Sequence, residues 1–188
     1  MLAAREAWKA CMSSLPADKL VFVDESGAKT NMTRFYGWAP RGERAVEKVP
    51  HGHWATQTMI SSIRSDGTSA CMTVDGATDT EVFLAYALTT LIPSLREGDI
   101  VILDNLSPHR SPRVVKAINE AGALVLFLPP YSPDFNPIEQ MWSKVKATLR
   151  RIGAGTLDEL ADAINFALAG VSADNAISWF ENSGYIFI

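Results

Sequence analysis

Lys19-Leu20-Val21-Phe22-Val23-Asp24 and Asp99-Ile100-Val101-Ile102-Leu103-Asp104 are the two stretches from which the fold can be read. Each holds four consecutive apolar residues, rich in β-branched side chains, and stops at an acid. Runs this short with that composition favour buried central strands over helix segments. A carboxylate at the end of such a strand has to be solvated, paired or metal-bound, because an unpaired charge in an apolar interior is costly. Ligands commonly sit beyond the C-terminal ends of neighbouring strands in α/β sheets. One such Asp is more often a turn residue or a helix cap. Two in one chain make Asp24 and Asp104 candidates for chemistry.

The elements around these runs follow from local signals. Residues 3–12 predict a short leading helix, interrupted by Pro16. Residues 35–40 are aromatic and predict a second strand, followed by the loop Pro40-Arg41-Gly42. Residues 53–63 and 68–74 flank Ser65-Asp66-Gly67, and an Asp-Gly pair between β-prone runs signals a hairpin. Thr78-Asp79-Thr80-Glu81 reads as a capping box with Thr78 at the N-cap, opening a helix to about Leu91. Beyond Asp104, Ser111-Pro112 supplies N-cap and N1 of another helix, and Gly122 its C-terminal stop. Residues 124–128 form a third apolar run, ended by Pro129-Pro130-Tyr131-Ser132-Pro133. Asn136 and Pro137 then open a helix to about Arg151, which Gly153 and Gly155 break. Thr156-Leu157-Asp158-Glu159 caps a helix to about Ala169, and residues 173–180 predict a last one. Hairpins come first, then strands alternate with helices. That order predicts an α/β fold: a mixed sheet, antiparallel meander first, with helices packed on it. No internal boundary is visible, so residues 1–188 read as one domain, with 1–18 a leading helical segment and 156–188 C-terminal helices.

Bulk properties are compatible with this. The chain has 188 residues, 47% hydrophobic and 20% charged, enough for one domain with a full core. No apolar run approaches the roughly 20 residues that span a bilayer, and the N-terminus lacks a signal-peptide core, so no membrane role and a cytoplasmic location are expected. Cys11 and Cys71 have no metal-ligand spacing and read as half-buried thiols. The net charge of −4 argues mildly against a dedicated DNA-binding module. It does not argue against a nuclease core, where bound metal ions offset a carboxylate cluster. Cations are concentrated in Lys144, Lys146, Arg150 and Arg151, with Arg41, Arg44 and Lys48 forming a looser group. Each group is either a solvated surface or a set of phosphate contacts. His51 and His53 flank Gly52, but without a third ligand at useful spacing they do not make a zinc site.

The third acid of interest is Glu139. With Asn136 as N-cap it falls at the capping-box position N3. A first-turn Glu on a rigid helix is also well placed to reach a metal, and the helix N-terminus favours its ionised form. Trp142 and Lys146 share its helix face, Trp142 as a core residue and Lys146 as a candidate phosphate contact. Glu25 points to the opposite sheet face from Asp24 if the strand continues, and so should not share a metal with it. Asp24 is not supported as an aspartyl nucleophile: no Gly-rich phosphate cradle is present, and Ser26 stands where a second acid would be. Three carboxylates suit Mg²⁺, which prefers oxygen ligands and keeps several waters. Two such ions about 3.5–4 Å apart can activate an attacking oxygen and stabilise a leaving one at a phosphodiester.

Three segments carry a family resemblance: VFVDESGAKTNMTRFYGWAPRGERA, GDIVILDNLSPHRSP and LPPYSPDFNPIEQMWSKVKATLRR. They resemble the DDE-type transposases of bacterial insertion sequences, in the branch related to mariner elements, from about residue 5 to the end. PPYSPDFNPIE is the most specific part. Between Asp104 and Glu139 lie 34 residues, the spacing that branch uses with a final Glu. The resemblance implies an RNase H-like fold with Asp24, Asp104 and Glu139 as catalytic, metal-holding acids. It implies Mg²⁺-dependent cleavage at element ends, two ions with Mn²⁺ able to substitute, and attack of the freed 3′-OH on target DNA, often at TA. Asn105, His109 and Asn136 fall in the same motifs: Asn136 mainly as a cap, His109 as a phosphate contact, a support behind the ligands or a plain loop residue. The family places helix-turn-helix modules before the catalytic domain, for which the residues before Leu20 leave no room. Either the chain is a fragment or the DNA-binding portion is separately encoded; the resemblance favours the second, with a homo-oligomer assembled on DNA. The alternatives are a catalytically silent remnant or DNA-interaction protein, and a nuclease that hydrolyses without strand transfer.

Overall fold

A computed structural model describes residues 2–46 and 53–187. Five strands form one sheet in the order β3-β2-β1-β4-β5. Strand β1 is Leu20–Lys29, β2 Thr56–Ile63, β3 Cys71–Asp75, β4 Ile100–Leu103 and β5 Leu124–Phe127. The pairs β1–β2 and β2–β3 are antiparallel, while β1–β4 and β4–β5 are parallel. This is the mixed sheet the sequence predicts, with the meander on one side and the crossover strands on the other.

The pleat sorts the two apolar runs onto two faces. Leu20, Phe22, Ile100 and Ile102 enter one core, and Val21, Val23, Val101 and Leu103 the other. All eight are buried, which is why these runs are continuous rather than alternating. Four helices supply the first core: α1 (Leu2–Met12), α4 (Ile138–Ile152), α5 (Leu157–Ala169) and α6 (Ala173–Asn182). The second is covered by α2 (Thr80–Tyr86), its single π-turn Ala87–Leu91, and α3 (Pro112–Glu120). Strand β4 is closed in by neighbours on both edges and helices on both faces, and all four of its residues are buried.

Several local expectations need correction. Strand β1 does not end at Asp24 but runs on to Lys29, because β2 pairs with it along Phe22–Lys29. Residues 35–40 form no strand. Phe35, Tyr36 and Trp38 are 73%, 91% and 103% exposed, and aromatic content without a partner edge does not make a ladder. The cap of α2 is Asp79, one residue later than expected, and its carboxylate accepts from the Val82 N–H. Asn136 does not cap α4 through its side chain. Pro137 is the N-cap, Asn136 contributes its backbone carbonyl to the Glu139 N–H at 3.2 Å, and Glu139 stands at the second helical position. Cys11 is exposed rather than half-buried, while Cys71 is half-buried.

The turn at Gly67 adopts φ +84°, and Arg64 N–H donates to the Thr68 carbonyl at 3.0 Å across it. A Cβ at Gly67 would stand 2.9 Å from the Ala173 nitrogen, so the hairpin tip is pressed against the start of α6. At the same end of the sheet, Arg64 reaches Asp99, the residue before β4, through two hydrogen bonds, one of them 2.9 Å. Asp99 is fully buried.

Candidate active site

The strand register places the first two acids. Phe22 stands opposite Ile102 in the parallel pair β1–β4. Two residues further on, Asp24 and Asp104 emerge on the same face as Phe22 and Ile102, the face covered by α4. Glu139 belongs to the first turn of α4. All three acids line one open cavity of about 420 Å³. Its other walls are Asn105, Leu106, Asn136 and the segment Leu128 to Pro133. Asp24 and Asp104 are half-buried, while Glu139 is exposed.

Electrostatics within the cavity are uneven. Burial, and then the like charges of Glu139, Glu25 and Asp104, push the Asp24 carboxyl up to about 7 against a lowering bond from the Glu25 N–H. Asp104 behaves oppositely. Burial would raise it, but hydrogen bonds from His109 and from the Leu106 N–H outweigh that and hold it below the usual carboxylate range. His109 Nδ1 lies 2.6 Å from Asp104 Oδ1, and its Nε2 lies 2.9 Å from Glu25 Oε1. The two carboxylates overcome the effect of burial and push the imidazole up to about 9.

The cavity walls are held from behind. Asn105 Nδ2 donates to the Leu128 carbonyl, tying the loop after β4 to the end of β5. Tyr131 has φ +54°, the one non-glycine residue with positive φ among the described residues, and lies on the exposed lip. Arg5 of α1 fixes that lip, donating to Ser132 Oγ at 2.8 Å and to both Asp134 oxygens at 2.9 and 2.7 Å. Asn136 Oδ1 is buried without a hydrogen-bond partner.

Among the described residues, no three or more His, Cys, Asp or Glu side chains stand close enough together to hold a metal ion as they are placed. An open cavity with three acids, one of them disfavoured as an anion, nonetheless fits a hard cation. Mg²⁺ retains water and needs only one or two carboxylates at a time.

The predicted cations separate. Lys146 and Arg150 line a second groove with Lys29 and Phe35, and the Arg150 guanidinium sits 4.4 Å over the Phe35 ring. Lys144 instead bonds Asn175 of α6. Arg151, Arg41 and Arg44 are exposed, and none of them lines the acid cavity. Lys48 and His51 lie outside the described residues, and His53 is exposed. Trp142 is 2% exposed and packs in the core, as expected. Sequence reasoning missed Glu25 as a partner of His109 and Arg5 as a support of the lip. For Glu25 a signal existed in the adjacency of two acids on a strand. For Arg5, 126 residues from its nearest partner, none did.

A family model described as DDE superfamily endonuclease matches residues 19–161. No curated protein matches the chain in sequence. Among solved structures, the chain is similar to the Mos1 transposase paired-end complex with left transposon end, at 15% identity and TM-score 0.73, covering 95% of this chain and 56% of that one. The mariner Mos1 paired end complex with Mg is similar at 14% identity and TM-score 0.71, with 96% and 58% covered. The catalytic domain of Mos1 mariner transposase is similar at 13% and 0.62, with 95% and 84% covered. The chain thus spans little more than half the length of the first two and most of the isolated catalytic domain. The shared fold is RNase H-like: a mixed five-stranded sheet with helices on both faces. Among the described residues, no helix is long and apolar enough to cross a membrane.

Proposed function

Because the chain belongs to the DDE superfamily endonucleases, we propose that it is a transposase catalytic domain that cuts DNA at element ends and transfers the strand into target DNA. Asp24, Asp104 and Glu139 are its catalytic acids and hold two Mg²⁺ ions, with Mn²⁺ able to substitute. The observation that carries this reading is that Asp24, Asp104 and Glu139, from three separate elements, line one open cavity just beyond the end of the parallel pair β1–β4. When bound, the two ions activate an attacking oxygen and stabilise a leaving one. Asp24 is the acid that gains most from them, since a neighbouring cation offsets the burial and like charge that disfavour its ionised form.

Lys146 and Arg150 lie seven and eleven residues along α4 from Glu139, about 10 and 16 Å down the helix. With Lys29 they form a cationic track leading away from the acids, suited to a phosphate backbone. Arg41 and Arg44 provide further exposed contacts. DNA is the partner, in an assembly of at least two chains because transposition joins two ends.

The test is Mg²⁺- or Mn²⁺-dependent nicking of a DNA bearing element ends, with Asp104→Asn beside wild type. Losing several kcal/mol of metal-borne stabilisation lowers the rate by about 10³-fold or more. Equal nicking by both proteins would end the proposal. A strand-transfer assay distinguishes a transposase from a nuclease that only hydrolyses.

A further inference from the structure

The parallel ladder between β1 and β4 stops at Phe22–Ile102. Asp24 and Asp104 lie two residues beyond, with no backbone pairing to set their spacing. What spans this gap is a chain of side chains on the opposite face of the sheet. Glu25 points away from Asp24, as the pleat requires, and its Oε1 meets His109 Nε2 at 2.9 Å. The other ring nitrogen, Nδ1, donates to Asp104 Oδ1 at 2.6 Å, and the Leu106 N–H donates to the same oxygen at 2.9 Å. The His109 side chain is fully buried, and its ring packs 4.1 Å from the Phe83 ring, so it cannot swing aside without disturbing that core.

From this we infer that Glu25 and His109 are positioning residues that fix the separation of Asp24 and Asp104 and leave Asp104 Oδ2 as the oxygen presented to the cavity. The inference rests on the proposed role of the two Asp residues in holding metal. Neither positioning residue touches DNA or metal. Glu25 acts on the pair in two ways, through its own backbone, which continues from Asp24, and through the imidazole that it orients. Partners of this kind behind a ligand change metal affinity by about 10–100-fold when removed.

The experiment is Mn²⁺ titration of the metal-free protein, read by electron paramagnetic resonance, for wild type, Asp104→Asn, Glu25→Ala, Glu25→Gln, His109→Ala, His109→Asn and the double alanine variant. Circular dichroism establishes that each is folded. Glu25→Ala and His109→Ala each weaken Mn²⁺ binding by about 10-fold or more. The double variant is no weaker than His109→Ala, because Glu25 works through the ring. His109→Asn keeps an N–H for Asp104, and Glu25→Gln keeps an acceptor for the ring. Both retain more affinity than the corresponding alanine variants, and they decide the matter should an alanine variant fail to fold. Wild-type affinity in the Glu25 and His109 variants, with binding lost in Asp104→Asn, would overturn the positioning role and leave the metal site standing. Additive losses in the double variant would overturn it as well. Identical Mn²⁺ behaviour of wild type and Asp104→Asn would remove the metal site itself, and the inference with it.

Discussion

At the end of the sheet where β4 begins, Asp99 is out of contact with solvent, and both its oxygens are engaged by Arg64 and the Arg96 N–H. At the end where β4 finishes, Asp24 and Asp104 share an open cavity with Glu139, and among the described residues no Lys or Arg side chain lines it. The same strands thus carry a neutralised carboxylate at one end and an under-neutralised set at the other. Where a protein cation is supplied, the acid strengthens the fold. Where only the His109 imidazole behind Asp104 is supplied, Asp24 and Glu139 are left for something from outside.

The contrast can be broken most severely at the neutralised end. Arg64→Met leaves Asp99 buried without its counter-ion, held only by the Arg96 N–H, and removing one partner of such a pair costs about 3–5 kcal/mol. Urea denaturation should show the loss, and Arg64→Met combined with Asp99→Leu should recover much of it. A loss below about 1 kcal/mol would mean that the pair does not anchor this end of the sheet.

The other end should respond with opposite sign. In the absence of divalent metal, Asp24→Asn is expected to stabilise the fold at pH 8 by on the order of 2 kcal/mol, allowing for the solvent that reaches the cavity. The pH dependence follows. Asp24 is raised from 3.8 to about 7, so its favourable contribution is complete below pH 4 and disappears as pH climbs through 7. Asp99 is held below its ordinary value, so its contribution is present above about pH 4 and is lost as pH falls further. Wild type should therefore lose stability between pH 4 and 8 more steeply than Asp24→Asn, a difference that thermal melts at several pH values would register. Parallel profiles for the two proteins would contradict the assignment. The smallest effect belongs to the lip: Arg5→Ala should lower the melting temperature less than either substitution above shifts it, because Arg5 is partly and Asp134 largely solvent-exposed.

The runs 20–23 and 100–103 were legible because strands buried on both faces leave an unbroken apolar signature. Asp24 and Asp104 were legible because a charge at the edge of such a run must find water, a counter-ion or a metal. Glu139 needed the family resemblance, since its position alone fits a helix start equally well. Residues 35–40 misled because aromatic content marks strands only when an edge is available to pair with. Asn136 misled for a related reason: a residue of good capping type followed by Pro satisfied the pattern, yet the helix took its carbonyl and left the amide oxygen buried without a partner. The Glu25–His109–Asp104 chain crosses the sheet, so no linear periodicity could display it.

Adjacent placement of Asp24 and Glu25 restricts how this chain can change over time. Deleting one residue between Leu20 and Asp24 would put Glu25 in the place of Asp24, and inserting one would put Asp24 in the place of Glu25, so either change turns both acids to the opposite faces. Length variation among descendants should be absent from that stretch and should accumulate in the exposed connection 34–46.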